Sequence, residues 1–583
     1  MLKKANYILD KRQKVELFFL LIVICVGAFV ELLGVSMILP LINVALDPNT
    51  IESTWYLAAI KYHFGFSKVN EMIIFLAIIL MLIYLVKNLY VTFMYDMQYR
   101  FIFNNQRYLA VKMMDVYMHQ SYLYHVSKNV AELQRTITED VNGFYTIILN
   151  ILQLCAEASV CLVLVIYLMK TDITSTLVVA ILVGVFTILV GVISKKVLVK
   201  KGQENRGLCI LLNKWLLQSF SGIKDIKVMN REKFFLKNYD ETYHKFSIIQ
   251  RQQSMLTFLS RPIMETVCIC GLLLTVIIKL TVQAADVKSF IPTLSVFAVA
   301  AFRMLPSFNR ISGYISMIMF DKPSIEVLYH DLIEIDKLSK AKQVENGQSA
   351  KIVVRDEIRI HNVSFHYPES EKWILENVNM NIKTNTSIAF IGASGAGKTT
   401  FVDIILGILE PQKGSIYADN VDIKSNMDGW HKSIGYIPQS IYLIDDTIEA
   451  NIAFGIAKED IDQKVMDQVI REAQLDKFIK ELPEGYNTIV GDRGVKLSGG
   501  QRQRIGIARA LYQQPEILIL DEATSALDNA TEKEVMEAID GLHGKRTMII
   551  IAHRISTIKN CDTIYEVGSG KVTKKNKNEV FDK

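Results

Sequence analysis

The stretch Ile391-Gly-Ala-Ser-Gly-Ala-Gly-Lys-Thr-Thr400 decides the fold of the C-terminal part of this chain. Its glycines Gly392, Gly395 and Gly397 leave the backbone free of side chains at the points where phosphate oxygens must approach. The next residue, Lys398, adds a positive charge. Together the glycines and the lysine predict a loop that binds the phosphates of a nucleotide.

The residues on either side of this loop have the patterns that a phosphate-binding loop requires. Residues 387–391 are apolar and predict a buried strand, whereas residues 400–407 have the apolar spacing of a helix. Backbone N–H groups and the N-terminus of that helix would then cradle the anion. The hydroxyl of Thr399 is placed to bind Mg²⁺, a cation that prefers oxygen ligands. We therefore predict an α/β P-loop domain that binds a magnesium nucleotide.

The two halves of the chain differ sharply in composition. The 583 residues are 50% hydrophobic and carry a net charge of +5, which is too small over this length to favour nucleic acid as a partner. Apolar runs long enough to cross a bilayer fill the chain up to about Phe320 and stop beyond Asp321. This change predicts a transmembrane domain over residues 1–320, a polar linker over 321–354 and a soluble domain over 355–583.

Six membrane spans can be drawn in the first of these domains. They cover about 16–45, 72–100, 141–169, 172–195, 254–281 and 286–320. Several are longer than the roughly 20 residues that cross a bilayer, so the helices are expected to project into the cytoplasm. Lysines and arginines concentrate before the first span and after the fourth, which places both termini and the soluble domain on the cytoplasmic side of the inner (plasma) membrane.

Two further predictions concern the connections between the spans. The long inner segments, about 101–140 and 196–253, are predicted to continue as helices and to fold back near 119–122 and 217–223. These bends could contact the soluble domain, or they could be ordinary turns. The aromatic outer segment 54–66 predicts a short helix, which either lies at the membrane interface or packs on the spans as a cap.

Charged residues inside the predicted spans are the candidate substrate site, because a charge within a bilayer is costly. Lys87, Arg261 and Arg303 lie in spans two, five and six, and a cavity lined by them would attract an anionic headgroup. The alternative is internal pairing with the carboxylates inside the spans, which are Glu31, Glu157 and Glu265. Arg310, also in span six, could lie at the inner interface.

Polar residues that follow buried strands are the candidate catalytic groups. The apolar run 517–520 predicts a strand that ends at Asp521, at the edge where open α/β sheets place their ligand sites. Asp521 would bind Mg²⁺ through water, and Glu522 would polarise the water that attacks the terminal phosphate. His553 also follows a buried strand and would hydrogen-bond that phosphate, while Gln439 would sense Mg²⁺ or water.

This ordered set of motifs resembles the nucleotide-binding domain of ABC transporters, and the six spans resemble the α-helical transmembrane domain of the exporter type. The resemblance implies a Walker A motif at 392–399, a signature motif at 497–501 and a D-loop at 525–528, with Gln439 in the Q-loop and His553 as the switch histidine. It further implies an ATP hydrolase coupled to transport. In that family the signature motif of one subunit faces the phosphate loop of the other, which implies a homodimer with two composite ATP sites.

The nucleotide contacts are assigned on these motifs. Tyr367 ends an alternating segment upstream of the loop and could stack on an adenine, because stacking needs no hydrogen-bond code. The signature glycines open a helix whose N-terminus would form a second cradle for an anion. The residues expected to contact ATP are Tyr367, Gly392, Ser394, Gly395, Gly397, Lys398, Thr399, Thr400, Ser498, Gly499, Gly500, Gln501 and Asp528. Those expected at Mg²⁺ are Thr399, Gln439 and Asp521.

A narrower resemblance concerns the transported substrate. Residues 302–310, the aromatic outer segment and residues 435–443 resemble the bacterial lipid-linked oligosaccharide flippases, in which basic cavity residues take the pyrophosphate. By position Lys87, Arg261 and Arg303 would have that role here. The resemblance predicts an ATP-driven flippase of a polyprenyl-pyrophosphate glycan or a related anionic lipid. The alternatives are an exporter of a hydrophobic drug, a peptide or a lipid A-like lipid and, from another class, an ATP-gated channel or regulator.

Overall fold

The chain divides into two compact units in a computed structural model. The first comprises Met1–Gln120 with Tyr124–Ala341, and the second comprises Ser121–Leu123 with Lys342–Lys583. The structure describes all residues except 38–39, 42–43, 46–47, 49, 67, 172, 283–286, 343–349, 369, 523–528, 553 and 582–583. The side chains of further residues, mostly within 167–195, 268–303 and 335–342, also lie outside the description.

The chain up to Lys342 is helical in the described residues, because long apolar runs satisfy their backbone hydrogen bonds in a bilayer by forming helices. A five-residue π-helix, Thr136–Asp140, lies between the α-helices Val130–Arg135 and Val141–Thr171. The helices are α1 (Leu2–Ile8), α2 (Lys11–Ser36), α3 (Thr50–Ser53), α4 (Trp55–Phe64), α5 (Val69–Met118), α6 (Tyr122–Ser127), α7 (Val130–Arg135), α8 (Val141–Thr171), α9 (Ile173–Ser221), α10 (Ile223–Val228), α11 (Glu232–Val282) and α12 (Val287–Lys342).

Three helical segments among the described residues are long and apolar enough to cross a membrane. They are Lys11–Gly34, Val69–Met118 and Val130–Ile166, and they overlap predicted spans one to three. Helix α2 ends at Ser36, before the predicted end of span one at residue 45. Pro40 follows closely, and a proline interrupts helical hydrogen bonding. Predicted spans four to six lie in α9, α11 and α12, where many side chains are outside the description.

Helix breaks fall at both predicted inner bends. One lies between Met118 and Tyr122, and the other lies between Ser221 and Ile223. The segment 321–354, predicted as a linker, is helical as far as Lys342 because α12 continues to that residue. The long helices therefore run well beyond the stretches of sequence that a bilayer requires.

The aromatic outer segment forms the predicted short helix, α4. It ends at Gly65, whose positive φ of +67° places it in the left-handed conformation that favours glycine after a helix. Leu57 is buried, whereas Trp55 and Tyr62 are 82% and 92% exposed. Most of the aromatic surface of α4 is thus free of contact with the rest of the chain.

Helices α2, α5 and α8 pack around a shared apolar core that includes Ile24, Met113 and Phe144. Each of these three side chains is at most 1% exposed. Burial of large apolar side chains stabilises such packing by about 1.5–3 kcal/mol for each one. This core holds the helices that carry the first three predicted spans.

A buried carboxylate, Asp140, ends the π-helix and joins three parts of the first unit. Arg206 Nε on α9 and Ser324 Oγ on α12 each donate to it over 3.1 Å. The guanidinium of Arg135 lies 3.7 Å away. Because Asp140 is 0% exposed, its charge depends on these partners to offset the loss of water. The cluster therefore ties the start of α8 to α9 and α12.

The second unit contains a four-stranded sheet and a six-stranded sheet. Their strands are β1 (Glu357–Phe365), β2 (Leu375–Lys383), β3 (Ser387–Ile391), β4 (Lys413–Ala418), β5 (Val421–Asp422), β6 (Ile434–Ile437), β7 (Ile517–Asp521), β8 (Thr547–Ile551), β9 (Thr563–Gly568) and β10 (Lys571–Lys575). The helices are α13 (Lys398–Ile405), α14 (Met427–His431), α15 (Ile448–Ile452), α16 (Gln463–Glu472), α17 (Asp476–Glu481), α18 (Gly499–Tyr512), α19 (Asn529–Asp540), α20 (Ile555–Ile558) and α21 (Lys577–Phe581).

The six-stranded sheet has the strand order β10-β9-β3-β8-β7-β6. Strands β9, β3, β8, β7 and β6 are parallel, and β10 pairs antiparallel with β9. Parallel strands are covered on both faces and therefore have continuous apolar sequences, as β7 and β8 do. The carboxyl ends of β3, β7 and β8 meet at one edge of this sheet, where ligands of open α/β sheets bind.

The side chains of β7 alternate between two cores. Leu518 and Leu520 belong to one core, and Ile517 and Ile519 belong to the other, which lies against the four-stranded sheet and α13. At the edge of the sheet, Gly435 in β6 faces α18 so closely that a Cβ atom would lie 2.6 Å from the carbonyl oxygen of Ala510. The main chains of β6 and α18 are therefore in contact.

Candidate functional site

The predicted phosphate loop connects the end of β3 to the start of α13, as the sequence indicates. Two of its glycines are required by both conformation and space. Gly392 has a φ of +146°, and a Cβ there would lie 2.3 Å from the carbonyl oxygen of Val567. Gly397 has a φ of +99°, and its Cβ would lie 2.9 Å from Ile374 Cγ2. Any side chain at these positions would displace the loop.

Lys398 begins α13 and turns its ammonium group back into the loop. Its Nζ donates to the carbonyl oxygens of Gly392 (2.9 Å) and Ala393 (3.0 Å). Burial lowers the pKa of Lys398, and the negative charges of Glu522 and Asp521 oppose that shift. The lysine is thus held inside the loop as a cation, facing two carboxylates.

The two predicted acids stand at the end of β7. Asp521 is 6% exposed, and Glu522 follows it with a φ of +48°, a left-handed conformation that is strained for a residue other than glycine. Gln439, in the segment after β6, donates through Nε2 to Glu522 Oε2 over 2.7 Å. The structure therefore brings Lys398, Gln439, Asp521 and Glu522 to the same edge of the sheet.

Tyr367 lies beside the N-terminal turn of α13. Its hydroxyl oxygen is 3.2 Å from Thr400 Oγ1, and the residue is 36% exposed. The ring of Phe365 packs against its edge, with the ring centres 5.2 Å apart. Tyr367 thus has an accessible ring next to the phosphate loop, at the place where the sequence predicts a base.

The predicted signature motif begins α18, a helix of 14 residues. Ser498 and Gln501 form a reciprocal capping box, in which the Gln501 N–H donates to Ser498 Oγ (3.2 Å) and the Ser498 N–H donates to Gln501 Oε1 (2.8 Å). Within the described part of the chain, no hydrogen bond or ion pair joins residues 498–501 to the phosphate loop. The two anion cradles are separate features of one chain.

Two predicted site residues, Asp528 and His553, lie outside the described residues. Two other residues at this edge were missed by the sequence analysis. Asp403 on α13 and Tyr436 on β6 lie near Asp521: burial raises the pKa of each, and the negative charge of Asp521 adds to both shifts. Asp403 had one signal in the sequence, because it is the only charged residue between Lys398 and Glu410.

Comparisons with known proteins agree with this geometry. Residues 375–525 match the family model for ABC transporters. An ATP-dependent lipid A-core flippase of Cupriavidus metallidurans is 29% identical over 468 residues, which cover 80% of this chain and 77% of that protein. The solved structure of a bacterial Atm1-family ABC exporter with ATP bound has a TM-score of 0.75 and 21% identity, over 98% of this chain and 96% of that one. The chain is an ABC transporter.

A further relative supports the same assignment. The ATP-dependent lipid A-core flippase of Wigglesworthia glossinidia brevipalpis is 35% identical over 396 residues, which cover 66% of this chain and 64% of that protein. The predicted fold class, a helical exporter-type membrane domain followed by an α/β nucleotide-binding domain, is confirmed. The transporter is accordingly an ATP hydrolase, as predicted. The narrower resemblance to lipid-linked oligosaccharide flippases stays a prediction.

In the membrane domain of the transporter, the predicted substrate residues have different surroundings. Lys87 Nζ on α5 lies 3.0 Å from Glu31 Oε1 on α2, and the two side chains are 11% and 5% exposed. The ring of Tyr84 lies beneath the same ammonium group, 4.6 Å from ring centre to Nζ. Lys87 thus has an internal carboxylate partner, which is the alternative that the sequence left open.

The other intramembrane cations differ from Lys87. Arg310 pairs with Glu157 through an Nε to Oε1 distance of 2.6 Å. Arg261 on α11 is exposed, and no ion pair links it to another described residue. The side chain of Arg303 lies outside the described part of α12. Lys87 and Arg310 therefore form ion pairs with carboxylates, whereas Arg261 is accessible.

Proposed function

We propose that the transporter hydrolyses ATP to move an anionic, sugar-bearing lipid across the inner membrane. The observation that supports hydrolysis best is the contact between Gln439 Nε2 and Glu522 Oε2, which holds a carboxylate beside Asp521 at the ligand edge of the sheet. The names of two relatives, both lipid A-core flippases, support a lipid as cargo. Both termini and the nucleotide-binding domain would lie in the cytoplasm, because the basic residues concentrate on that side.

The donor set at this edge fits Mg²⁺. Thr399 offers a hydroxyl oxygen and Asp521 offers a carboxylate. Gln439 offers its amide oxygen, because its amide nitrogen makes the hydrogen bond to Glu522. All three are oxygen donors, which Mg²⁺ prefers. When bound, the ion would neutralise charge on the phosphates. Gly392, Ser394, Gly395, Gly397, Lys398 and Thr400 would surround those phosphates, and Tyr367 would stack on the base.

Glu522 would act on the attacking water. Phosphoryl transfer requires little covalent chemistry from the protein, so orientation of the water and stabilisation of charge account for most of the rate enhancement. Glu522 follows the strand with a strained φ of +48°, and Gln439 would hold its carboxylate in place through their hydrogen bond. His553 would hydrogen-bond the terminal phosphate.

The transporter would work as a homodimer. The capped N-terminus of α18 presents Ser498, Gly499 and Gly500 as an anion cradle that has no described bond to the phosphate loop of its own chain. A second copy could place its own phosphate loop there, with Gln501 and Asp528 at the same interface. ATP would then bind the closed pair better than the open pair, and only such a difference in affinity can drive closure.

The cargo would be recognised through its phosphate groups. A polyprenyl-pyrophosphate glycan and a lipid A-like lipid share phosphate and sugar in the headgroup and differ in their apolar tails. Arg261 is accessible, and Arg303 belongs with it to the predicted basic cavity. An anion would pair directly with these two arginines. Lys87 would do so only by exchanging its partner Glu31. A hydrophobic drug or peptide needs none of these charges, and an ATP-gated channel would conduct ions instead.

The replacement Glu522→Gln tests the ATPase assignment. The amide keeps the shape of the side chain but cannot accept a proton, so ATP binding should persist while turnover falls at least about a hundredfold. The measurements are nucleotide binding and phosphate release by the purified transporter. Glu537→Gln, at an exposed position of α19, is the matched control and should leave both unchanged.

Reconstitution in vesicles tests the cargo. Labelled polyprenyl-pyrophosphate sugar and labelled lipid A-like lipid would be assayed separately for ATP-dependent loss from one leaflet. Movement of either lipid by the unchanged transporter, together with its loss in Glu522→Gln, is the expected result. ATP hydrolysis without movement of either lipid would contradict the proposed cargo, and ion conductance in its place would favour a channel.

A further inference from the structure

A cavity of about 810 Å³ lies at the amino-terminal edge of the six-stranded sheet. Its wall includes Asn385, Glu516 and Thr547, which stand two residues before β3, directly before β7 and at the first position of β8. The phosphate loop and Asp521 lie at the other edge, where β3 and β7 end. This cavity is therefore separate from the candidate ATP site. Its volume is within the range of about 300–1,000 Å³ that is typical of small-molecule sites.

Two of the three carboxylates that line the cavity have cationic partners within the protein. Arg546 Nη2 lies 3.9 Å from Glu472 Oε2, and Lys351 Nζ lies 3.5 Å from Glu516 Oε1. Arg546 also donates to the carbonyl oxygen of Pro515. These four charged groups are therefore engaged in holding the wall of the cavity together.

Other basic side chains at the cavity have no such partner. Within the described part of the chain, no ion pair involves Arg355, Arg471 or Lys545, and all three residues are exposed. The charge of Arg355 acts on Asp419, whose pKa it helps to lower. Arg471 and Lys545 are thus the two cations available to a ligand, and they face a third, exposed carboxylate, Glu537.

Polar groups on three elements around the cavity are available to a ligand. Arg471, at the end of α16, has five N–H donors that make no described hydrogen bond. Lys545 Nζ donates to the carbonyl oxygen of Gly541 (3.0 Å) and keeps two more hydrogens. Asn385 is fixed before β3, because its backbone N–H donates to Thr547 Oγ1 (3.0 Å), and its side-chain amide has no described hydrogen bond.

We propose that this cavity is a second ligand site, which binds a small organic phosphate such as a sugar phosphate. Arg471 and Lys545 would pair with the phosphate group, which as a monoester carries a charge of about −1.5 to −2 at neutral pH. The amide of Asn385 would hydrogen-bond to hydroxyl groups of the ligand. This inference goes beyond ATP hydrolysis and the transported lipid, and it depends on neither.

Glucose 6-phosphate is a suitable probe, because it carries one phosphate and several hydroxyl groups but no base that could stack at the ATP site. Its binding to the full-length transporter would be measured by isothermal titration calorimetry. We expect saturable binding of one molecule per chain. Arg471→Gln and Lys545→Gln should each weaken it about tenfold or more, because each replacement removes hydrogen bonds between charged groups. Glucose itself should not bind.

Two control variants separate this site from other causes. Lys477→Gln removes one positive charge at an exposed position of α17, outside the cavity, and should leave the affinity unchanged. Lys398→Ala alters the phosphate loop and should also leave it unchanged. Loss of binding in Lys398→Ala would place the ligand at the ATP site and overturn the inference. No saturable binding, or equal affinity in Arg471→Gln, would overturn it too.

Discussion

Single side chains at the ligand edge of the sheet carry charges that the fold does not favour. Asp403 is half-buried on α13, and burial raises its pKa to about 6, with the negative charge of Asp521 adding to the shift. Because the folded-state pKa lies above the ordinary value of an aspartate, the charged form is disfavoured by folding. This penalty is complete above the folded-state pKa and absent below the unfolded-state pKa.

The replacement Asp403→Asn should therefore stabilise the nucleotide-free protein at pH 7.5, where the native carboxylate is charged. The increase in the thermal midpoint should be a few degrees, because the side chain is still partly screened by solvent. The difference should shrink as the pH is lowered through 6 and disappear near pH 4. Asp467→Asn, at an exposed position of α16, is the control and should show no such trend. A difference that grew at acidic pH would contradict this account.

At the ligand edge of the sheet, the sequence predicted those residues that belong to a motif or that directly follow an apolar strand. Gly392, Gly397 and Lys398 belong to one loop, and the strand pattern alone placed Asp521 at the end of β7. Tyr436 and Asp403 could not be predicted in this way, because their proximity to Asp521 depends on which strand and which helix lie beside β7. Neighbours of this kind are set by tertiary packing and leave little trace in local sequence.

In the membrane domain, too, the sequence did not predict which residues of two helices are in contact. Charges within the predicted spans were visible in the sequence, but the partner of Lys87 was not. The pair exists because α2 packs on α5 with Glu31 and Lys87 at the same level. Removal of one member of a buried pair leaves the other charge without compensation, whereas removal of both can be nearly neutral.

A double-mutant cycle on α2 and α5 follows from this contact. Glu31→Gln and Lys87→Met should each destabilise the transporter by on the order of 3 kcal/mol, and the double variant should recover most of that loss. The measurement is denaturant unfolding of the purified protein in detergent. Arg12 and Glu16, an exposed pair on the same α2 at 2.8 Å, provide the control, and their removal should cost at most about 0.5 kcal/mol. Additive losses for Glu31 and Lys87 would show that they do not interact.

For the whole molecule, the order of the elements was predictable and their arrangement was not. Long apolar runs followed by a phosphate loop, a signature motif and a buried strand ending in two acids indicate the two domains of an exporter. The strand order β10-β9-β3-β8-β7-β6 has no such signal, because several orders satisfy the same apolar runs. The early end of α2 at Ser36 was also missed, although Pro40 offered a clue.

A mixed dimer tests the proposed pairing of two chains. One chain would carry Lys398→Ala and the other Ser498→Arg, both in the Glu522→Gln background and with different affinity tags. If each site combines the loop of one chain with the signature motif of the other, the mixed dimer keeps one intact site and should trap one ATP. The parent dimer should trap two, and either variant homodimer should trap none. A mixed dimer that traps no ATP would show that each site belongs to a single chain.

The main chains of β6 and α18 are in contact where Gly435 faces Ala510. Because no side chain lies between these two residues, no change of rotamer there can absorb a displacement of the helix. A displacement of α18 along its axis would therefore reach β6 directly at this contact. If two copies pair as proposed, pressure from the neighbouring subunit on α18 would therefore be transmitted to the strand beside the proposed ATP site through main-chain contact alone.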